Sequence, residues 1–122
     1  MNELEVQAKN LVIQAGWKDD DLVLQAHGEI DMEDPEEILG TFFQNVHKLA
    51  IKRSKKVILN IVNLKFVNSS GIKSFIRWIG MAKQLKQPYK IQFFCNPSFT
   101  WQRSSLSVIQ KIAPEIVEIL QG

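Results

Sequence analysis

The sequence predicts an α/β fold: a small mixed β-sheet that opens as an antiparallel hairpin and continues in parallel strands, with helices packed mainly on one face. Three observations lead there. Two apolar triplets, Leu11-Val12-Ile13 and Leu22-Val23-Leu24, flank a turn-rich stretch containing Gly16 and Lys18-Asp19-Asp20-Asp21. Beyond them, apolar strand-like runs alternate with stretches whose apolar residues recur at three- and four-residue steps. A strand–helix–strand order of that kind joins parallel strands through right-handed crossovers. At 122 residues the chain reads as one domain. It is long enough to bury roughly two-thirds of its unfolded surface without disulfide or metal staples.

The first two runs read as a hairpin, its second strand continued by Ala26, Gly28 and Ile30 and ended by Asp31. Asp34-Pro35-Glu36-Glu37 starts the first helix. Asp34 is placed to cap a free backbone N–H, Pro35 fits a position that needs no N–H, and the glutamates meet the positive end of the helix dipole. Ile38, Phe42, Val46, Leu49 and Ala50 supply an apolar stripe, and the helix fades into the basic turn Lys52-Arg53-Ser54-Lys55-Lys56. Val57 to Val62 is β-branched and almost wholly apolar. That suits a central strand covered on both faces, or an inner strand of a mixed sheet. A second helix runs from about Gly71 to Gln87 and stops at Pro88, with Ile72, Phe75, Ile76, Ile79 and Ala82 inward. Tyr89 to Phe94 is the next strand and Asn96-Pro97-Ser98 a turn. Phe99 to Ile112 is a third helix, with Leu106, Ile109 and Ile112 on one side. Pro114 breaks it, and Glu115 to Leu120 reads as a short edge strand.

Composition excludes several functions. Apolar residues at 45% and charged residues at 23% are ordinary for a soluble globular protein. No apolar run approaches the roughly 20 residues of a membrane span. The acid-bearing N-terminus does not read as a signal peptide. The single cysteine, Cys95, excludes an internal disulfide and fits a reducing compartment, so a cytoplasmic protein is expected. His27 and His47 lack the spaced partners of a metal site, and Cys95 has no identifiable base. No phosphate-binding glycine loop or nucleophile elbow occurs. The expectation is no enzyme: no catalytic residue, no metal and no cofactor. The net charge of +2 conceals an asymmetry: no Asp or Glu lies between Ile38 and Pro114, a stretch that holds every Lys and Arg except Lys9 and Lys18. The densest basic cluster, Lys48, Lys52, Arg53, Lys55 and Lys56, has no interleaved aromatics, which argues against nucleic acid and suits a solvated helix end.

The segment Val57 to Ile72 carries the step Phe66-Val67-Asn68-Ser69-Ser70-Gly71 between a buried strand and a helix. It resembles the signature of the STAS domain, the sulfate-transporter and anti-sigma-factor-antagonist family. Gly28-Glu29-Ile30-Asp31 resembles the Gly-x-Leu-Asp that ends the family's early strand. The two matches stand in the expected order and the element order agrees, so the resemblance covers nearly the whole chain. It implies a non-catalytic regulatory module of the bacterial anti-sigma-factor-antagonist type. Such a module binds a serine kinase that acts as anti-sigma factor, or another switch protein. It is switched by phosphorylation of the second serine of the step, Ser70 here. The chain departs from the family pattern at Asn68, where the family has an acid, and at Asn60, a position often occupied by Asp. Asn68 keeps a hydrogen-bonding shape but offers no carboxylate to a phosphoryl-transfer site. The departures keep open a second reading, a constitutive STAS scaffold subunit of a transport or signalling assembly that is not phosphorylated.

Read as residues, Ser69 and Ser70 sit where a strand hands over to a helix, so one of them suits the N-cap. A phosphate there would meet free N–H groups and the positive dipole end, with Lys65 and Lys73 flanking. Gly71 serves either a close backbone approach or a plain turn. Ser74, Trp78 and Met81 share one flank of the second helix. Exposed, they would anchor a partner; packed under a neighbouring helix, they would not. The expected partner surface is therefore Asn68, Ser69, Ser70, Gly71, Lys73, Ser74, Trp78 and Met81, with neither nucleic acid nor a membrane span involved. Trp101, Gln102 and Arg103 form a second candidate surface.

Overall fold

In the computed structural model, which describes residues 4–53 and 56–121, the elements run β1 (Glu5–Ala8), β2 (Leu11–Lys18), β3 (Asp21–Ile30), α1 (Glu36–Arg53), β4 (Lys56–Val67), α2 (Ser69–Lys83), β5 (Lys90–Cys95), α3 (Thr100–Ile112) and β6 (Val117–Gln121). The six strands form one sheet in sequence order. β1–β2 and β2–β3 pair antiparallel, and β3–β4, β4–β5 and β5–β6 pair parallel. After β3 the chain always steps to the next strand in the same direction. Right-handed crossovers therefore lay α1, α2 and α3 on the same face.

The expected hairpin is present, with three adjustments. β2 runs through Gly16 to Lys18, and the turn tightens to Asp19-Asp20 between the paired Lys18 and Asp21. Asp19 takes positive φ (56°) there, as such two-residue turns require. β1 extends the hairpin as a short edge strand that the apolar pattern did not announce. Gly28, at φ 102°, sits at a register irregularity where any Cβ would collide with the Asn10 carbonyl. That carbonyl accepts from the Glu29 N–H at 2.8 Å. The glycine of the Gly28–Asp31 match is thus required by a close approach of backbones.

Burial along β4 and β5 alternates: Val57, Leu59 and Ile61, then Ile91, Phe93 and Cys95, face the helices. Ile58, Asn60 and Val62 lie half-exposed on the other side. The apolar run at 57–62 is thus an inner strand of a mixed sheet, not one covered on both faces. α1 buries Leu39, Phe42, Phe43, Val46 and Ala50, whereas Ile38 is exposed and Leu49 half-buried, so its stripe is rotated from the expected one. Residues 54 and 55 of the expected basic turn lie outside the described residues. α2 ends at Lys83, ahead of the expected stop at Pro88. The edge strand at the C-terminal end is β6.

β4 outlasts its neighbour. Its pairing with β5 stops at Asn60–Phe94, yet the strand continues to Val67. Its carbonyls beyond that point still need donors. Gln102 Nε2 donates to Ile61 O at 2.7 Å and to Leu64 O at 3.2 Å. Trp101 Nε1 donates to Leu64 O at 2.8 Å, and Asn96 Nδ2 to Val62 O at 3.2 Å. Asn60 Oδ1 accepts from the Val62 N–H at 3.1 Å. Trp101 and Gln102 are buried by this task, which corrects their expected role as a contact surface. Asn60 thereby holds a local backbone position within the strand.

Candidate functional site

α2 starts where β4 ends, and Asn68 makes the junction. In extended backbone (φ −76°, ψ 174°), its Oδ1 accepts from the Gly71 N–H at 2.8 Å. Asn68, not either serine, is therefore the N-cap. Its Nδ2 donates to the Met32 carbonyl at 2.9 Å, and its own N–H donates to the Ile30 carbonyl at 2.9 Å. The cap amide is thus fixed at both ends. A carboxylate at this position could keep the accepting half of the arrangement but not the donating half. Ser69 and Ser70 occupy the first two helical positions and both are exposed. The first turn of α2 holds no acid, so none of its own side chains offsets the positive end of the dipole. Lys73 is exposed on the following turn.

Gly71 is buried. A Cβ there would lie 2.7 Å from Val67 Cγ1 and 2.8 Å from Ile30 Cγ2. Of its two expected roles, the close approach is the one observed: the first turn of α2 rests directly on the ends of β3 and β4. That seating, with the three bonds of Asn68, holds the Ser69–Ser70 turn in place.

The expected exposed flank of α2 is not a surface. Ser74 is 2% exposed, and its hydroxyl donates to Glu36 Oε1 at 2.6 Å; the same oxygen pairs with Arg77 Nη1 at 3.1 Å. Trp78 is 0% exposed. Its ring stacks on Phe43 of α1 with centroids 4.6 Å apart, and its Nε1 donates to Tyr89 Oη at 3.0 Å. Met81 is half-buried. The physical reason is α1, which packs along this flank and turns it into core. Tyr89 Oη also meets His47 Nδ1 at 2.8 Å. The phenol oxygen thus accepts from the indole and shares a second hydrogen bond with the imidazole. Burial holds the His47 pKa below the ordinary 6.5 and pushes the Tyr89 phenol well above its ordinary value.

Of the expected surface, then, Ser69, Ser70 and Lys73 stand exposed around the half-buried Asn68, while Gly71, Ser74 and Trp78 lie inside. Beside them is a groove that the sequence reading missed. It measures about 560 Å³ and lies between the end of β4, the start of α2 and the start of α3. Phe66, 44% exposed, lies along it with Ser69, Ile72 and Phe99. A signal was available: Phe66 and Val67 are consecutive in a strand, so both cannot face one core. Among the described residues no group of His, Cys, Asp and Glu could hold a metal ion. No described helix is long and apolar enough to cross a membrane.

No family model matches the chain, and no curated protein matches it in sequence. Solved structures match it in fold. One is an anti-sigma factor antagonist from Mycobacterium paratuberculosis: TM-score 0.62, 16% identity, covering 88% of this chain and 85% of that one. Another is apo-SiaC from Pseudomonas aeruginosa: TM-score 0.67, 17% identity, covering 98% and 99%. A third is the anti-sigma factor antagonist SpoIIAA in its unphosphorylated form: TM-score 0.57, 14% identity, covering 89% and 88%. The fold is thus that of the anti-sigma-factor antagonists and other SpoIIAA-like proteins, as the Phe66–Gly71 step led one to expect. At such identities the likeness fixes the fold, and the role of this chain has to be argued from its site.

Proposed function

We propose that this protein is a non-catalytic regulatory module that docks a partner protein through the turn Asn68–Ser70 at the start of α2, and that Ser70 is the hydroxyl whose phosphorylation switches the docking. The observation that carries this reading is the combination at one junction of two exposed serines, a cap that ties the turn to β3, and a helix end without acids. A rigid exposed turn lowers the ordering cost of binding. A phosphate on Ser70 adds about −1.5 to −2 charges at a helix N-terminus, where the dipole tolerates it and an acidic or apolar partner face does not. The resemblance to anti-sigma-factor antagonists supports a partner that is itself a serine kinase, transferring the terminal phosphoryl group of a nucleoside triphosphate to Ser70 Oγ. The likeness to SiaC supports a partner enzyme: one matching structure is that of the diguanylate cyclase SiaD in complex with SiaC, which is named there as its activator.

A second reading rests on the bonds of Asn68. Its amide serves the Gly71 N–H and the Met32 carbonyl, so residue 68 is committed to holding the loop. A constitutive scaffold needs no more than that. The experiment is mass spectrometry of the protein isolated from its own cells, with binding of the co-purifying protein to wild type, Ser70→Ala and Ser70→Asp. Phosphate on Ser70 and weakened binding by Ser70→Asp are the expected outcomes. An unmodified Ser70 with equal affinity for all three would leave the scaffold reading in place.

A further inference from the structure

The groove beside Ser69 has a definite chemistry. Phe66, Ile72 and Phe99 give it an apolar wall, and Ser69, Ser98, Thr100, Ser104 and Ser105 give it hydroxyls. Of these, Ser98 donates to Asn96 Oδ1 and Ser104 to the Thr100 and Trp101 carbonyls, so those two offer a peptide acceptors only. Among the described residues that line it, Lys65 is the only charged one. Lys73 stands one turn beyond Ser69 on the same side of α2. The Arg103 guanidinium folds over the start of α3, donating to the Pro97 carbonyl and, at 3.5 Å, to Thr100 Oγ1. α2 and α3 both begin at this groove, and neither has an acid in its first turn. Phe99 caps α3 with no side-chain bond to its N–H groups. Two positive helix ends and Lys65 therefore line one cleft with an apolar wall, and Lys73 and Arg103 follow it on α2 and α3. Acids stand on the other side: Glu29 is the in-register neighbour of Phe66 on the adjacent strand β3, and Asp31 and Glu33 flank Met32, whose carbonyl Asn68 holds.

We infer that this groove seats a segment of a partner protein in which an aromatic or branched aliphatic side chain is flanked by carboxylates. The apolar side chain lies against Phe66, Ile72 and Phe99, and the carboxylates meet Lys65, Arg103 and the two helix ends. Charge complementarity selects this occupant: a basic segment would be repelled, and a purely apolar one would leave the cations unanswered. The inference rests on the docking role proposed for the neighbouring turn and names the chemistry of what docks there.

The test is selection of random phage-displayed peptides on the intact protein. The enriched peptides are then measured by fluorescence anisotropy against wild type, Phe66→Ala, Lys65→Glu and, as a remote control, Lys48→Glu, whose residue is exposed on α1. Phe66 and Lys65 are both exposed, and Lys65→Glu reads the charge independently of any packing change at Phe66. The expected peptides pair an aromatic or leucine with neighbouring Asp or Glu. They should lose roughly tenfold or more in affinity on Phe66→Ala and on Lys65→Glu, weaken with added salt, and bind the remote charge variant Lys48→Glu like wild type. The inference is overturned by no enrichment, by basic or carboxylate-free peptides, or by equal affinity for both groove variants. Self-association of the protein that Phe66→Ala abolishes would also overturn it, by assigning the groove to a second copy. A native partner weakened by Ser70→Asp but indifferent to Phe66→Ala and Lys65→Glu would sink the groove and leave the turn; the reverse pattern would sink the turn and leave the groove.

Discussion

Ser70 and Ser74 lie one helical turn apart on α2, yet Ser70 is exposed and Ser74 is buried against Glu36. Trp78, one turn further, is sealed between Phe43 and Tyr89. The same helix is an exposed turn at its start, where docking is proposed, and a structural beam in its middle. The difference lies in what stands beside each turn: α1 covers the middle, whereas the first turn projects past it onto the ends of β3 and β4. A serine's role follows from that neighbour and not from its type. Changes in the middle should therefore cost stability, and changes to the exposed hydroxyls should alter binding alone.

The sharpest way to break this contrast is Trp78→Ala. It empties the largest fully buried side chain and should cost about 3–5 kcal/mol in urea denaturation; a loss under about 1 kcal/mol would mean that the middle turns are not core. Gly71→Ala comes next, because its Cβ has to share space with Val67 and Ile30. Overpacking of that kind costs about 1–3 kcal/mol, and unchanged stability would show that the first turn can lift off its seat. Asn68→Ala removes the cap and should cost about 1 kcal/mol, with Asn68→Asp falling between the two because it keeps only the accepting bond. A variant as stable as wild type would refute the tethered turn.

A pH series tests the middle of the helix more gently. The folded state holds His47 neutral with a lowered pKa, while the unfolded chain titrates near the ordinary 6.5. The unfolded chain therefore binds more protons in that range. The contribution is fully present above 6.5 and declines as the pH falls through it towards the folded value. Urea midpoints measured above and below 6.5 should drop on acidification, and His47→Gln should flatten the slope. A midpoint that rises on acidification would contradict the neutral imidazole. Ser70→Ala should be the smallest effect, within about 0.5 kcal/mol of wild type.

Much of this was legible in the residues. Asp34-Pro35-Glu36-Glu37 marked the entry to α1, the apolar runs marked β4 and β5, and the Phe66–Gly71 step marked the turn. Three things were not. β1 turns one apolar residue, Val6, fully inward, too little for a periodicity to register. Apolar residues wrap much of α2, at Ile72, Phe75, Ile76, Trp78, Ile79, Met81 and Ala82, so the pattern alone could not say which arc faces α1. Packing between α1 and α3 settled it in favour of Phe75, Trp78, Ile79 and Ala82. Gln102 is polar and buried because its task is to feed backbone carbonyls, and an apolar stripe cannot signal such a residue.

The overhang of β4 has a consequence for any visitor. A bare strand end beside an open groove ordinarily invites a foreign strand to lengthen the sheet, the route to domain swapping and amyloid-like growth. Here the main chain is already answered by Asn96, Trp101 and Gln102 from within. A newcomer finds the carbonyls of Ile61, Val62 and Leu64 taken, so an occupant of the proposed groove has to be chosen by its side chains and the edge is less open as a template for aggregation.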